Sequence, residues 1–246
     1  METTLISHMG SDLTVVNAAR VSFAKESDWD FIDQGGTLLP EGVNRKVLST
    51  QDQKLIKYLA KHNHWTPFSH VQITMREKVP IFVARQRFKH TVGFSYNEVS
   101  RRYVDDLPEF FVPDVWRKRS ENKKQGSSDE EVKVLVYKDI YQTNNNTTFN
   151  KTTPVKEEYK YFIVEAERLY NKMIECDVAP EQARMILPQS MYTEYYVTGS
   201  LAAWARAYKL RSDLHSQKEI QELAKEWNRL IGGISELETS WKALTK

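Results

Sequence analysis

The sequence has almost no cysteine. Cys176 stands alone among 246 residues, so no intrachain disulfide can close and a four-cysteine zinc site is excluded. The same scarcity fits a reducing compartment. No run of about 18 apolar residues is present to span a bilayer, and the opening METTLISHMG lacks the basic-then-apolar order of a secretory signal. A soluble, cytoplasmic protein is expected, with no membrane partner. Charge of one sign is also missing. The 35 Lys+Arg and 33 Asp+Glu leave a net charge of +2, which argues against a general polyanion binder and against nucleic acid as a partner. Several common motifs are absent too. No GxGxxG follows a strand, no GxxxxGK[ST] loop or GxSxG elbow occurs, and the six histidines show no HExxH spacing. Cys176 has no histidine close by in sequence to activate it. No metal site is expected.

What is present suits a packed core, with 40% hydrophobic and 11% aromatic residues. Residues 12–24 alternate weakly and read as a strand and turn; 25–48, with Gly35, Gly36 and Pro40, reads as a loop. Thr50-Gln51-Asp52-Gln53 matches a capping box that opens a helix to about His62. Val71, Ile73 and Met75 alternate with polar residues as in a half-buried strand. Pro80 suits the first turn of a helix carrying 81–88. A long helix is predicted over 156–176, with Tyr161, Val164, Ala166, Leu169, Tyr170 and Met173 inward. A short helix at 180–184, a strand at 191–197 and a helix at 201–210 follow. Ser216-Gln217-Lys218-Glu219 reads as a second capping box, opening a helix that buries Ile220, Leu223, Ala224, Trp227, Leu230 and Ile231. Polar 117–131 and low-complexity 143–153 read as surface loops. No internal repeat, interdomain linker or βαβ rhythm is visible. The expectation is α+β in one domain, residues 1–246, with a polar insertion at about 117–155.

Four polar constellations stand out. Residues 85–103, RQRFKHTVGFSYNEVSRRY, interleave Arg85, Arg87, Lys89, His90, Arg101 and Arg102 with Gln86, Asn97, Glu98 and Ser100. Forked cations beside planar amides suit a phosphate and a heterocyclic base; the plain alternative is a solvated helix end. HWTPFSH places His64, Thr66 and His70 between a helix and a strand, where a capped turn is the plain alternative. Arg184 lies in QARMILPQSMYT beside a proline turn, where a lone arginine is ordinarily structural. LRSDLHSQKEI sets Arg211 and His215 just before a helix N-terminus, which favours anions or an electron-rich ring. A polar helix cap accounts for it equally well.

Together these segments resemble the flavin-dependent thymidylate synthases, whose signature runs RQWxRHRxxSxNExSxRY. The resemblance extends through ARMILPQSMYTEYYVT, LRSDLHSQKEI, HWTPFSH and NAARVSF, over about residues 14–231, and breaks at 117–155. It implies a mainly antiparallel sheet with several helices, a homotetramer, and reductive methylation of dUMP to dTMP. FAD would be the cofactor, with NADPH and methylenetetrahydrofolate as co-substrates. Gln86, Lys89, Ser100, Arg102, Arg184 and Arg211 match positions that hold dUMP, and Glu98 lies at their junction with the flavin. His64, Thr66, Lys89, His90, Thr91, Asn97, Arg206 and His215 match the FAD region. Ser100 and Arg211 carry the expected catalytic roles: Arg211, with Gln86, polarises the base, and Ser100 lies beside it without being a nucleophile. The chain departs from the signature at Lys89 and Thr91, where arginines are usual, and at Arg87, where tryptophan is usual and where arginine would compensate. Two alternatives stay open: a flavin- or nucleotide-binding homologue with weak turnover, and a nucleic-acid-binding module using Arg117–Lys124.

Overall fold

The computed structural model describes residues 1–32, 38–39, 45–103, 106–121, 126–140 and 148–246. In chain order the elements are β1 (Glu2–Met9), α1 (Asp12–Arg20), β2 (Asp30–Ile32), β3 (Leu38–Leu39), β4 (Arg45–Val47), α2 (Thr50–Lys61), β5 (Gln72–Pro80), α3 (Ile81–Arg87), β6 (Phe94–Glu98), β7 (Arg117–Arg119), β8 (Ser127–Glu131), β9 (Val134–Ile140), β10 (Thr148–Pro154), α4 (Val155–Glu175), α5 (Pro180–Ala183), β11 (Tyr192–Ser200), α6 (Leu201–Arg211), α7 (Lys218–Gly232) and α8 (Glu238–Thr245). The fold is α+β. Its residues gather into two compact units: 1–78, 85–98 and 194–246 in the first, 79–84 and 99–193 in the second.

The first unit is built on a four-stranded sheet in the order β1-β5-β11-β6. β1 pairs antiparallel with β5, and β6 with β11. β5 and β11 also run in opposite directions, because Thr74 meets Thr198 while Arg76 meets Glu194. Both central strands alternate buried and open residues in the same pattern, and each passes directly into a helix. This paired strand-to-helix unit leaves no repeat in the sequence, because only burial is shared. Trp204 and Trp227 pack edge to face at 5.5 Å in the core beneath the sheet, joined by Ile73, Met75, Leu201 and Ile220. Each such side chain contributes about 1.5–3 kcal/mol of burial. α2 packs on α8, and α6 on α7 and α8.

Residues 12–20 are helical, where alternation had predicted a strand. Ser11 donates its N–H to Thr14 Oγ1 at 3.0 Å, and Val15 and Val16 are wholly buried. Burial here overrides the β preference of valine. Asp12 accepts the N–H groups of Thr239 and Ser240 at 2.9 Å, satisfying the first turn of α8. Neither β1 nor α8 was anticipated. α2 begins as expected, but Ser49 rather than Thr50 caps it by accepting from Asp52 N–H at 3.1 Å. α7 likewise begins one residue late, at Gln217, whose side chain makes no cap bond, so the box expected at Ser216 does not form.

In the second unit, Phe111 N–H donates to the Ser190 carbonyl and Tyr192 N–H to that of Glu109. The Tyr159 hydroxyl donates to the Phe111 carbonyl at 2.8 Å. The stretch 117–131, expected as a loop, carries the antiparallel pair β7 and β8, and 148–153 of the second expected loop lies in β10, which pairs antiparallel with β9. Strand pairing satisfies their backbone, and the polar make-up of β7, β8 and β10 is why composition hid them. Residues 122–125 and 143–147 of these expected loops lie outside the described residues, as do 33–37 and 40–44 of the loop expected at 25–48. α4 buries Val155, Ile163, Ala166 and Tyr170, whereas Tyr161, Val164 and Leu169 are exposed. The inner face is thus rotated from the predicted one, because Ile163 rather than its neighbour Val164 points inward.

Candidate active site

The signature segment begins in α3 and divides its side chains by direction. Successive helical residues differ by about 100°, so Arg87 enters the core, Gln86 is half-buried and Arg85 is exposed. Arg87 is 0% exposed. Its guanidinium carbon lies 4.3 Å from the Phe94 ring centroid, 4.7 Å from Trp204 and 4.8 Å from Trp227. Its Nε is 3.3 Å from Glu77, and Nη1 donates to the Tyr96 hydroxyl at 2.6 Å. Glu77, also 0% exposed, accepts from the Tyr195 hydroxyl at 2.6 Å and from Trp227 Nε1 at 2.7 Å. Arg87 is therefore enclosed, and the expectation that it replaces the lost motif cations is corrected.

Tyr96 links this core to the loop above it. Its hydroxyl donates to the His90 carbonyl at 2.8 Å, and burial pushes it up to about 12. Gly93 takes φ +78°, a left-handed turn suited to glycine, with Ala203 and Ser200 crowding the place of a Cβ. On the neighbouring strand, a Cβ at Gly199 would collide with the Phe94 ring. That ring is the nearest aromatic wall of the Arg87 enclosure.

Arg211, at the C-terminal end of α6, meets the segment from the other side. Its Nε donates to His90 Nε2 at 2.8 Å and its Nη2 to the Gln86 carbonyl at 3.0 Å. Burial, and then the charges of Arg211, Arg87 and Arg206, push the His90 imidazole down to about 4. His90 is therefore neutral, with Nε2 as acceptor and the proton on Nδ1. Burial and then the Arg87 charge lower Arg211 from its ordinary value. The Gln86 amide donates to Gln217 Oε1 at 2.5 Å. The cluster thus presents a fixed guanidinium beside two amides, the donor and acceptor set that a planar base with carbonyl and imide edges requires.

A second feature lies on the same unit. A cavity of about 530 Å³ is walled by His64, Trp65, Phe68, Ala202, Arg206 and Leu210. Arg206 also donates to the Val92 carbonyl at 2.6 Å, tying α6 to the loop of the signature. Lys89, Thr91, Asn97, Glu98 and Thr66 are exposed. His215 sits beyond α6 with Nδ1 2.8 Å from Asp213 Oδ1, and the backbone N–H of His215, more than its ring, holds the Asp213 carboxyl below its usual range. Ser100, Arg102 and Arg184 belong to the second unit. Arg102 Nε donates to Ser100 Oγ at 3.2 Å, and Arg184 is exposed in a 3₁₀ turn. Among the described residues no cluster of three metal-binding side chains occurs, and no helix is long and apolar enough to cross a membrane.

A family model described as "Thymidylate synthase complementing protein" matches residues 4–234. A flavin-dependent thymidylate synthase from Thermosipho africanus is 36% identical over 223 residues, 89% of this chain and 81% of its own length. The chain belongs to the flavin-dependent thymidylate synthase family. A second relative of that name, from Thermus thermophilus, is 34% identical over 225 residues, 90% of this chain and 67% of its own. Among solved structures, the UMP/dUMP methylase PolB of Streptomyces cacaoi, bound with 5-Br dUMP, matches with TM-score 0.71 and 25% identity. It covers 99% of this chain and 94% of that one. Within this flavin-dependent thymidylate synthase fold, two residues at the site escaped the sequence reading, while Gln217 was noted in LRSDLHSQKEI and in the expected helix cap. Tyr96 and Glu77 carry no signal of their own, since their partners are 118 to 150 residues distant or lie across a turn.

Proposed function

We propose that this protein converts dUMP to dTMP by reductive methylation, with FAD as cofactor and NADPH and methylenetetrahydrofolate as co-substrates. The observation that carries this reading is the Arg211–His90–Gln86 cluster at the heart of the signature segment. Arg211 neutralises negative charge developing on the pyrimidine carbonyls. Gln86 fixes the orientation of the base. Lys89, Glu98, Ser100, Arg102 and Arg184 complete the proposed dUMP set, the cations serving phosphate and sugar. His90 has a positioning role: its neutral ring holds Arg211, and its proton stays on Nδ1.

The cavity beside His64 fits a planar ring system of a flavin dinucleotide, because its walls are largely apolar while His64 and Arg206 supply polar edges. The flavin supplies hydride and one-carbon chemistry when bound. His64, Thr66, Lys89, His90, Thr91, Asn97, Glu98, Arg206 and His215 form the proposed FAD set. We read residues 1–246 as one domain with an insertion at about 117–155, working as a cytoplasmic homotetramer. The visible spectrum of the purified protein, with and without dUMP, tests the cofactor. Flavin bands perturbed by dUMP are expected, together with dTMP formation when NADPH and methylenetetrahydrofolate are supplied. A colourless protein that takes up no FAD would overturn the reading.

A further inference from the structure

A cleft of about 750 Å³ lies on the first unit away from the signature segment, between α2, β4, α6 and α8. Its walls carry Lys46, Lys57, Lys61, Lys209 and Lys242, with the Trp29 indole among them. The acidic groups at the cleft are already engaged. Asp12 accepts two N–H groups of α8, and Glu238 takes Lys242 at 2.5 Å. Lys46 pairs with Glu236 at 3.5 Å. Among the described residues Lys57, Lys61 and Lys209 have no carboxylate partner. Lys57 and Lys61 stand four apart on one face of α2, an arrangement of like charges that weakens a helix.

The cleft adjoins the cavity beside His64. Ala60, Asn63 and Lys209 line both. A ligand crossing that shared edge would have a ring end in largely apolar surroundings and an anionic end among lysines. Ammonium groups dispersed over two helices suit several separate charges on a flexible chain. A compact phosphate is better matched by a guanidinium fork or by converging backbone N–H groups.

We propose that the lysine cleft binds the oligoglutamyl carboxylates of the folate co-substrate, with the ring end at the edge shared with the adjoining cavity, against the flavin ring. The proposal rests on the thymidylate-forming reading for the identity of the ligand and on the cleft itself for its charge. Calorimetric binding of pteroyl-monoglutamate and pteroyl-pentaglutamate to the FAD-loaded full chain tests it. The pentaglutamate is expected to bind about tenfold more tightly at low salt, with the advantage shrinking as salt screens exposed charges. Lys57→Gln with Lys61→Gln abolishes that advantage. Both side chains are exposed and have no carboxylate partner among the described residues, so the variant keeps its fold. Equal affinities in the unsubstituted protein, or an advantage that survives in the variant, overturn the proposal. So does a variant that loses FAD while its preference for the pentaglutamate persists, since the cleft would then hold a dinucleotide diphosphate. A dTMP assay run alongside separates the two readings. Turnover without chain-length dependence removes the cleft alone, and chain-length dependence without turnover removes the thymidylate reading alone.

Discussion

Arg87 and Arg211 carry the same guanidinium and sit at two ends of one hydrogen-bonded network, in opposite surroundings. Arg87 is walled by aromatic rings and faces the carboxylate of Glu77. Arg211 is half-buried, leans on a neutral imidazole and a backbone carbonyl, and faces no carboxylate among its hydrogen-bond partners. The difference teaches what makes an arginine structural. A guanidinium given a permanent counter-charge is part of the core, whereas one given only neutral acceptors still seeks an anion. Tyr96 joins the two regions, accepting from Arg87 and donating to the His90 carbonyl.

The sharpest way to break the contrast is to remove the counter-charge of Arg87. Glu77→Gln is expected to cost about 3–5 kcal/mol in urea denaturation, because it leaves a buried cation unpaired. Adding Arg87→Met should recover part of that loss, and a single variant as stable as the parent would show that the pair anchors nothing. Arg211→Ala is expected to unfold at nearly the parent temperature and to bind dUMP about 10–100-fold more weakly, the effect of losing charge-assisted hydrogen bonds. Unchanged dUMP affinity in calorimetry would remove its assigned role. Tyr96→Phe touches both ends at once. It should cost about 1–3 kcal/mol, since an Arg87 donor is left without its acceptor, and the mobility of the His90 loop should rise in hydrogen exchange.

A gentler perturbation is pH. His90 is depressed to about 4 from an ordinary 6.5, so between those values the unfolded chain binds the extra proton. Stability should rise with pH across that window and be lost as pH falls through it. Protonation also removes the acceptor that holds Arg211. Denaturation midpoints measured from pH 4 to 7 should show this slope, and His90→Gln should flatten it. Restoring the usual arginines through Lys89→Arg with Thr91→Arg is expected to have the smallest effect. Both positions are exposed, and FAD affinity should change about threefold or less.

Much of the scaffold was legible because its signals are local. Pro80 ahead of α3, the alternation of β5 and the helical spacing of Ile220, Leu223, Ala224 and Trp227 each act over a few residues, and the structure bears them out. α1 was not legible, because Val15 and Val16 become helical through burial that only the folded chain supplies. β7, β8 and β10 were hidden because polar strands look like loops when few apolar residues mark them. At the site, the position of Arg211 opposite the signature was readable from the two motifs. The inward turn of Arg87 was not. It depends on Glu77, Trp204 and Trp227, which come from distant parts of the chain.

Gly199 shows how such a dependence reaches further than contact. The Phe94 ring occupies the space where any larger residue at 199 would put its first carbon. A displaced ring would open one wall around Arg87 and disturb the turn that carries His90. Position 199 is therefore set by a single hydrogen atom's worth of room, and its intolerance to variation would report the shape of a neighbouring side chain rather than any touch on a substrate. A steric demand for glycine and membership of the catalytic machinery are separate properties, and at this position they part.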